Sequence, residues 1–484
     1  MKRSIVYLLT VLFGTLIIHA QTNINSGKSS VFRAGASTSN ITPPLGTPII
    51  GNFTEPPAIN IHDELHVRCL ALDDGTTKLV FVIVDNVGIE RMVFDEAKRL
   101  INEKTGLPKG NLLMSAVHTH SATSAGGLGE KRRGWNVDEP LDEYQTFVAN
   151  RISDGVQIAL NRLEPARIGW GAGEVPLHLF NRRWMMKKPV MNPFGGIDQV
   201  KMNPGIGNPD LLNPAGPIDP EVSFISVQSI AGHPIALLGN YSLHYVGGVP
   251  NGDISADYFA VFADRIQELL KADRQDPPFV GILTNGTSGD VNNINFGGKS
   301  EKHAPYAKMR IVADDLAQEV IRVYQNIHYH DWVKLQAAES ELSLQVRRAT
   351  PEMLTNIQKV LLRPDTAKPL YNKLEKFYAK RVLQMQKEWP DDVSIILQTF
   401  RIGDLGVAAI PFEVFAETGL EIKEKSPFKS TFTIELANGS YGYLPTPEQH
   451  KLGGYETWLT TNKVQIDASA KIVEELMSLF STLK

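Results

Sequence analysis

The stretch from Leu112 to Ser121 reads LLMSAVHTHS, an apolar run of strand type that ends in a polar segment with two histidines. Residues i and i+2 of an extended segment point to the same side, so His118 and His120 can share one ion or one ligand. Taken alone, the motif slightly favours two hydrogen-bonded histidines at a strand end over a metal site. The stretch therefore predicts a buried strand and leaves the role of its histidines to the rest of the chain.

Short apolar runs of this kind alternate along the chain with amphipathic patterns of helical period. The predicted strands are 78–84, 112–117, 235–242, 279–283 and 407–410. The predicted helices are 92–104, 144–163, 257–271, 306–325, 370–388 and 467–483. The alternation predicts an α/β fold.

Composition and the amino terminus restrict the partners and the location. The 484 residues include 49 Lys+Arg and 53 Asp+Glu, for a net charge of −4, which gives no basic footprint for nucleic acid. Residues 1–20 carry Lys2 and Arg3 before an apolar stretch too short to span a bilayer, so they are predicted to be a signal peptide of an exported, periplasmic or secreted protein. The single cysteine, Cys69, lies in an apolar strand pattern and is interpreted as a buried hydrophobic residue.

The rest of the chain offers no convincing linker. Residues 21–30 are predicted to be a polar linker and residues 31–484 a single domain, within which 342–392 is charged and helical and is a candidate subdomain. Residues 183–219, rich in Pro, Gly and Asn, are expected to form an irregular loop, which is either a rim over a pocket or an insertion without a function.

Two further strand ends carry groups that suit a metal ion. His244 follows the run 235–242, and Glu413 follows the run 407–410. Ligands bind beyond the carboxyl ends of the strands in open α/β sheets, so these side chains are expected near His118. Imidazole and carboxylate groups suit Zn²⁺, which brings the pKa of a bound water to about 7. The alternative of a serine hydrolase with Ser288 is weaker, because Thr287-Ser288-Gly289-Asp290 is not a Gly-x-Ser-x-Gly elbow.

The sequence from about Phe32 to the carboxyl terminus resembles the neutral ceramidase family, zinc amidohydrolases that cut the fatty-acyl amide of ceramide. Two tyrosines, Tyr443 and Tyr455, are twelve residues apart as in the family pattern. The other matching motifs are Ile41-Thr42-Pro43-Pro44, Ile61-His62-Asp63-Glu64-Leu65, His118-Thr119-His120-Ser121, Asn181-Arg182, Ile254-Ser255-Ala256-Asp257-Tyr258, Ser288-Gly289-Asp290-Val291 and Pro411-Phe412-Glu413. The resemblance implies a ceramidase-like catalytic domain with a central mixed sheet flanked by helices.

The resemblance also implies roles for individual residues. The zinc ligands are expected to be His118, His244, Glu413 and Tyr443. The groups expected to contact the substrate amide or the developing oxyanion are His120, Arg182 and Tyr455.

The chain departs from the family in three places. Asn292 replaces a serine that is essential to ceramidases, although its amide can still orient a polar group of the substrate. The loop after Ser121 runs through 122–127 instead of directly into Gly-Pro-Gly-Gly, and no carboxyl-terminal immunoglobulin-like domain is expected.

Two functions follow. The first is an exported zinc hydrolase that cleaves a ceramide-like N-acyl amide or a related ester, acting on a small molecule or a lipid, with peripheral membrane contact left open. The second is a non-catalytic lipid- or glycan-binding protein on the same scaffold. The sequence does not define the oligomeric state.

Overall fold

The computed structural model describes residues 31–51, 54–123, 125 and 140–484. The predicted signal peptide 1–20, the linker 21–30 and residues 124 and 126–127 of the altered loop lie outside the described residues. No helix in the described part of the chain is long and apolar enough to cross a membrane.

The described residues contain the predicted alternation of strands and helices. Strands β1 to β21 are, in order, Arg33–Asn40, Asn60–Ile61, His66–Asp73, Lys78–Val84, Leu112–Ala116, Glu164–Glu174, Phe180–Asn181, Arg183–Met191, Ile197–Met202, Leu211–Pro214, Glu221–Ser229, Pro234–Tyr241, Asp253–Ile254, Val280–Asn285, Val291–Asn292, Leu335–Gln345, Asp392–Ile402, Leu405–Ile410, Glu413–Val414, Ser430–Glu435 and Tyr443–Leu444. Helices α1 to α9 are Arg91–Thr105, Glu143–Asn161, Asp257–Leu269, Ala307–Tyr324, Pro351–Leu361, Glu375–Glu388, Ala416–Lys425, Pro447–Leu452 and Ala468–Thr482.

The centre of the molecule is an eight-stranded mixed sheet of order β14-β12-β11-β6-β1-β3-β4-β5. Side chains of β4 alternate between its faces, as the two-residue period of a strand requires. Phe81 and Ile83 join one hydrophobic cluster, whereas Val80 and Val82 join another, together with residues of α1 and α2. Both faces are therefore buried, which explains the nearly continuous apolar sequence of β4.

A four-stranded sheet of order β16-β17-β18-β20 covers the first of these faces. Phe81 of β4 meets Phe400 of β17 edge to face with ring centroids 5.3 Å apart, and burial of one such side chain contributes about 1.5–3 kcal/mol. The outer face of the small sheet packs on α9 through residues such as Ile410 and Ile472. The core is thus two stacked sheets with helices on the outside, which confirms the predicted α/β class.

Three parallel strand pairs bring polar residues to one region. The pairs β4–β5, β12–β14 and β18–β20 are parallel, so their carboxyl ends lie side by side. The chain leaves β5 toward His118, β12 toward His244 and β18 toward Glu413.

The expectation of an irregular loop at 183–219 is wrong. Strands β8, β9 and β10 in this range form an antiparallel sheet of order β10-β8-β9. Gly195, Gly205 and Gly207 have φ of +86°, +96° and +69° and lie between these strands. The Gly and Pro residues that suggest a long loop therefore mark the turns of short strands.

The range 342–392 begins within β16 and then contains α5 and α6, which pack on each other. Ile357 of α5 and Val382 of α6 share a hydrophobic cluster with Phe194, which lies between β8 and β9. The division into domains stays a prediction. Cys69 of β3 is fully buried, as expected, and burial raises the pKa of its thiol to about 12.

Candidate metal centre

His118 lies two residues after the end of β5, in a backbone conformation that non-glycine residues rarely adopt, with φ of +74°. Its backbone N–H donates to the Asn86 carbonyl at 2.9 Å, and its Nδ1 contacts the carbonyl oxygen of Val87. These two contacts fix the ring and leave Nε2 to face the interior. Strained backbone of this kind is concentrated at functional sites.

Three imidazole nitrogens converge at this point. His118 Nε2 lies 3.1 Å from His244 Nε2 and 3.0 Å from His120 Nε2. A ligand atom from each of the three residues lies within 4.8 Å of the others, an arrangement that could hold a metal ion.

Glu413 reaches the same point from β19, which begins three residues after the end of β18 in the four-stranded sheet. Strand β19 pairs in parallel with β21, and the pairing places Glu413 opposite Tyr443. Glu413 Oε2 lies 3.4 Å from His118 Nε2 and 3.7 Å from His244 Nε2. This oxygen is buried, and it has no hydrogen-bond partner of acceptable geometry among the described residues.

The donor atoms fit a zinc ion. Tetrahedral zinc with bonds of about 2.0–2.1 Å separates neighbouring ligand atoms by about 3.3 Å. The distances between His118 Nε2, His244 Nε2 and Glu413 Oε2 match that spacing. A buried carboxylate oxygen without a hydrogen bond costs free energy unless a cation or donor faces it, so the set is suited to a divalent cation.

Burial and neighbouring charges set the protonation of the site. Burial, with contributions from His118 and Arg182, holds the pKa values of His120 and His244 well below the usual range, which keeps these rings neutral at pH 7. Burial favours the acid form of Glu413, but electrostatic interactions with His118 and Arg182 and a hydrogen bond from Tyr443 outweigh it and lower the Glu413 pKa. Neutral imidazole and ionised carboxylate are the forms that bind metal.

His244 is supported by a chain of buried polar groups. Its Nδ1 lies 3.2 Å from the carbonyl oxygen of Ser288 and 3.3 Å from Ser288 Oγ. Ser288 Oγ donates in turn to Glu435 Oε1 at 2.6 Å. Burial raises the pKa of Glu435 well above its usual value. Ser288 therefore orients a histidine. Glu435 was not predicted from the sequence, because the strand before it reads Ser-Thr-Phe-Thr-Ile and is apolar only at alternate residues.

Arg182 is held by a second buried network. Its Nε donates to Glu456 Oε1 at 3.1 Å, and its Nη2 donates to the Gly289 carbonyl at 2.8 Å. The fully buried Arg183 donates to Glu456 Oε2 at 2.8 Å. The guanidinium of Arg182 lies over the Tyr443 ring, 5.3 Å from its centroid. Sequence reasoning missed Glu456, whose partners are 273 and 274 residues away along the chain.

A cavity of about 240 Å³ opens onto these groups. Its lining consists of Gly51, Glu55, His120, Arg182, Met202, Asn203, His244, Tyr245, Phe377, Arg381, Tyr443 and Tyr455. Strand β9 and helix α6 thus contribute to its wall, through Met202 and Phe377. A larger groove of about 660 Å³ lies beside the end of α1 and includes none of the predicted site residues.

Seven of the eight predicted site residues meet at the metal centre or the cavity. His118, His244, Glu413 and Tyr443 are in one cluster, and the Tyr455 ring lies 5.9 Å from the Tyr443 ring. His120, predicted to contact the substrate, lies as close to His118 as His244 does. Asn292 is not part of the cavity lining. Its Nδ2 donates a hydrogen bond to Oδ1 of Asn203, which is a lining residue, at 3.0 Å. The roles of all eight residues stay predictions.

Comparison with known proteins adds a likeness of fold. No family model matches the sequence. The structure of neutral ceramidase from Pseudomonas aeruginosa aligns with a TM-score of 0.64 at 16% identity, over 94% of this chain and 74% of that chain. A structure described as ceramidase complexed with C2 aligns with a TM-score of 0.67 at 16% identity, over 94% of this chain and 75% of that chain. The expected ceramidase-like fold is confirmed, whereas a shared fold at this identity does not fix the function.

Proposed function

We propose that the chain is a zinc-dependent hydrolase. The observation that carries the proposal is the buried Glu413 Oε2, which has no hydrogen-bond partner in the described part of the chain and faces His118 Nε2 and His244 Nε2 beside a cavity. His118, His244, Glu413 and Tyr443 would hold the ion. A bound zinc ion supplies Lewis acidity and brings the pKa of water to about 7.

The proposed substrate is a ceramide-like N-acyl amide or a related ester. Support comes from the ceramidase fold and from the donors that surround the cavity, which suit a carbonyl oxygen. Asn292 in place of the serine marks a divergent member of the family, so a head group other than that of ceramide is included in the proposal.

The side chains around the cavity have two roles toward the substrate, stabilisation of the carbonyl oxygen and transfer of a proton. Arg182 and the Tyr455 hydroxyl donate hydrogen bonds to the carbonyl oxygen as negative charge builds on it, and each such donor is worth a few kcal/mol in a dry site. His120 is neutral, and in the tautomer with an unprotonated Nε2 it takes a proton from the attacking water and returns it to the leaving nitrogen as the C–N bond breaks. Glu456 keeps Arg182 charged and in place. No acyl-enzyme is required, so the absence of the family serine is compatible with hydrolysis.

The test combines metal analysis with hydrolysis. The purified chain is expected to contain one zinc ion per molecule and to release fatty acid from an N-acyl amide. His118→Ala should lose the ion and reduce kcat/KM at least about 100-fold. His233→Ala, at an exposed histidine away from the cavity, is the matched control and should change neither quantity. A wild-type chain that binds no zinc and gains no activity on reconstitution would overturn the proposal.

The second function, a non-catalytic lipid- or glycan-binding protein, is favoured by one observation. Asn292 replaces the family serine, and both polar atoms of its amide are used within the protein. Stoichiometric zinc, ligand binding and no turnover of any N-acyl amide or ester would establish this function instead.

We also propose export, with cleavage of the signal peptide after Ala20. Mass spectrometry of the protein recovered from the periplasm or medium should give a first residue of Gln21. Recovery of the intact chain from the cytoplasm would contradict this.

A further inference from the structure

Asn203 lies at the mouth of the cavity, immediately after β9. Its φ of +46° is in the left-handed region, which asparagine tolerates better than most residues, and its backbone N–H donates to the Arg182 carbonyl at 2.9 Å. The residue is exposed, whereas His118 and His244 at the floor are 6% and 1% exposed. Asn203 therefore faces a part of the substrate that lies farther out than the reacting carbonyl.

A chain of hydrogen bonds defines which end of the Asn203 amide faces the cavity. The backbone N–H of Ile294 donates to Asn292 Oδ1 at 3.0 Å, which identifies that atom as the oxygen. Asn292 Nδ2 then donates to Asn203 Oδ1 at 3.0 Å. Asn203 Nδ2 is left as the outward group, and it has no acceptor among the described residues.

We infer that Asn203 determines specificity by donating a hydrogen bond from Nδ2 to a substrate oxygen other than that of the cleaved carbonyl. The inference rests on the proposed hydrolysis and narrows its substrate to N-acyl amides whose amine part carries a hydroxyl or a carboxylate. Asn292 is the positioning residue that sets the direction of the Asn203 amide. The asparagine at position 292, where the family has a serine, then has the physical role of orienting Asn203.

A single substitution at Asn292 should turn the Asn203 amide, so that Asn203 presents a hydrogen-bond acceptor to the cavity instead of a donor. In Asn292→Asp the carboxylate still accepts from Ile294 N–H, but it has no hydrogen to give to Asn203. Asn203 then turns its Nδ2 toward Asp and presents Oδ1 to the cavity. A hydroxyl can donate to that oxygen, whereas a carboxylate cannot, so this variant should discriminate between the two head groups.

The experiment uses three probes with one acyl chain: N-lauroylglycine, N-lauroylethanolamine and N-ethyldodecanamide, which lacks the second oxygen. The wild type should prefer each of the first two over the third by about tenfold in kcat/KM, the size of one hydrogen bond. Asn203→Ala should abolish the preference through KM, because the contact is the same in the ground state and the transition state. Asn292→Asp should retain the preference for N-lauroylethanolamine over N-ethyldodecanamide and lose the preference for N-lauroylglycine. Asn213→Asp, at an exposed asparagine of β10, is the control and should behave as wild type.

Binding of the same probes to His118→Ala, with and without Asn203→Ala, is measured by calorimetry as a readout independent of turnover. Turnover with a preference that survives Asn203→Ala overturns this inference and leaves the proposed function standing. Absence of turnover, with a binding preference that Asn203→Ala removes, supports the inference as a binding specificity and rejects the hydrolase. Neither turnover nor a binding preference rejects both.

Discussion

Ser288 connects a histidine of the candidate metal centre with a buried acid. It lies within 3.3 Å of His244 Nδ1 and donates to Glu435 at 2.6 Å, so it holds the ring with Nε2 toward His118. Groups that contact the outer nitrogen of a ligating histidine usually orient the ring and raise its affinity for metal.

Ser288→Ala removes the hydroxyl contact but keeps the ligands and the Ser288 carbonyl oxygen, which lies 3.2 Å from His244 Nδ1. We therefore expect zinc affinity to fall by about tenfold, measured by competition with a chromophoric chelator. Ser481→Ala, on the exposed side of α9, should leave the affinity unchanged. An unchanged zinc affinity in Ser288→Ala would mean that Ser288 does not position His244.

Glu456 is fully buried between two guanidinium groups. Replacing it with Gln removes the carboxylate that both buried guanidinium groups contact, so the free energy of unfolding should fall by roughly 3–5 kcal/mol. Urea denaturation measures this loss. Glu448→Gln in α8 breaks an exposed pair with Lys451 and should change stability by less than about 1 kcal/mol. Equal effects of the two substitutions would contradict the interpretation.

Single residues differ in how far the sequence predicts them. His118, His244 and Glu413 follow apolar strands, so their residue types and positions were sufficient to predict them as candidate metal ligands. Tyr443 came only from the family resemblance, because spacing alone does not propose a tyrosine ligand. Glu435 and Glu456 could not be assigned, since a buried acid is recognised only from partners that are distant in sequence.

Among the elements, Asp290 joins two short strands to a helix. Its carboxylate accepts from Asn181 of β7 at 2.7 Å and from the backbone N–H of Ala416, the first residue of α7, at 2.9 Å. Burial raises the pKa of Asp290 to about 6 in spite of these donors. The folded protein therefore binds this proton more tightly than the unfolded chain.

The stability that this carboxyl group contributes is fully present below about pH 4, its ordinary pKa, and is lost as the pH rises through about 6. A shift of this size corresponds to about 3 kcal/mol. We expect the difference in unfolding free energy between wild type and Asp290→Asn to decrease by that order from pH 4 to 7. Asp273→Asn, at an exposed carboxylate, should give a difference independent of pH. A constant difference for Asp290→Asn would contradict the pKa shift.

The long elements were predictable because their apolar periodicity is strong. Helix α1 ends at Thr105 with Gly106 in the left-handed region at φ of 70°, as the Gly-Leu-Pro sequence predicts. The three-stranded sheet β10-β8-β9 was not predictable from the sequence, because its short strands are separated by turn residues and are largely exposed. Its exposed position leaves little hydrophobic pattern to detect.

For the molecule as a whole, stacking of two sheets explains how distant residues share one site. The carboxyl ends of parallel strands from both sheets meet, which brings Glu413, after β18 of the second sheet, to the histidines that follow β5 and β12 of the first. The sequence predicts where strands end but not which sheets stack on each other. The meeting of Glu413 with the histidines is therefore only an expectation at the level of sequence and depends on the stacking of the two sheets. Helix α6 completes the cavity from outside the sheets, through Phe377 and Arg381.

The central claim is that one divalent cation binds where these strand ends meet. Anomalous diffraction at the zinc edge, from crystals of the chain purified without chelator, tests it directly. We predict one peak within about 2.0–2.4 Å of His118 Nε2, His244 Nε2 and a carboxylate oxygen of Glu413, with the Tyr443 hydroxyl beside it. No peak at this position in zinc-soaked crystals, or a peak held by other residues, would contradict the account.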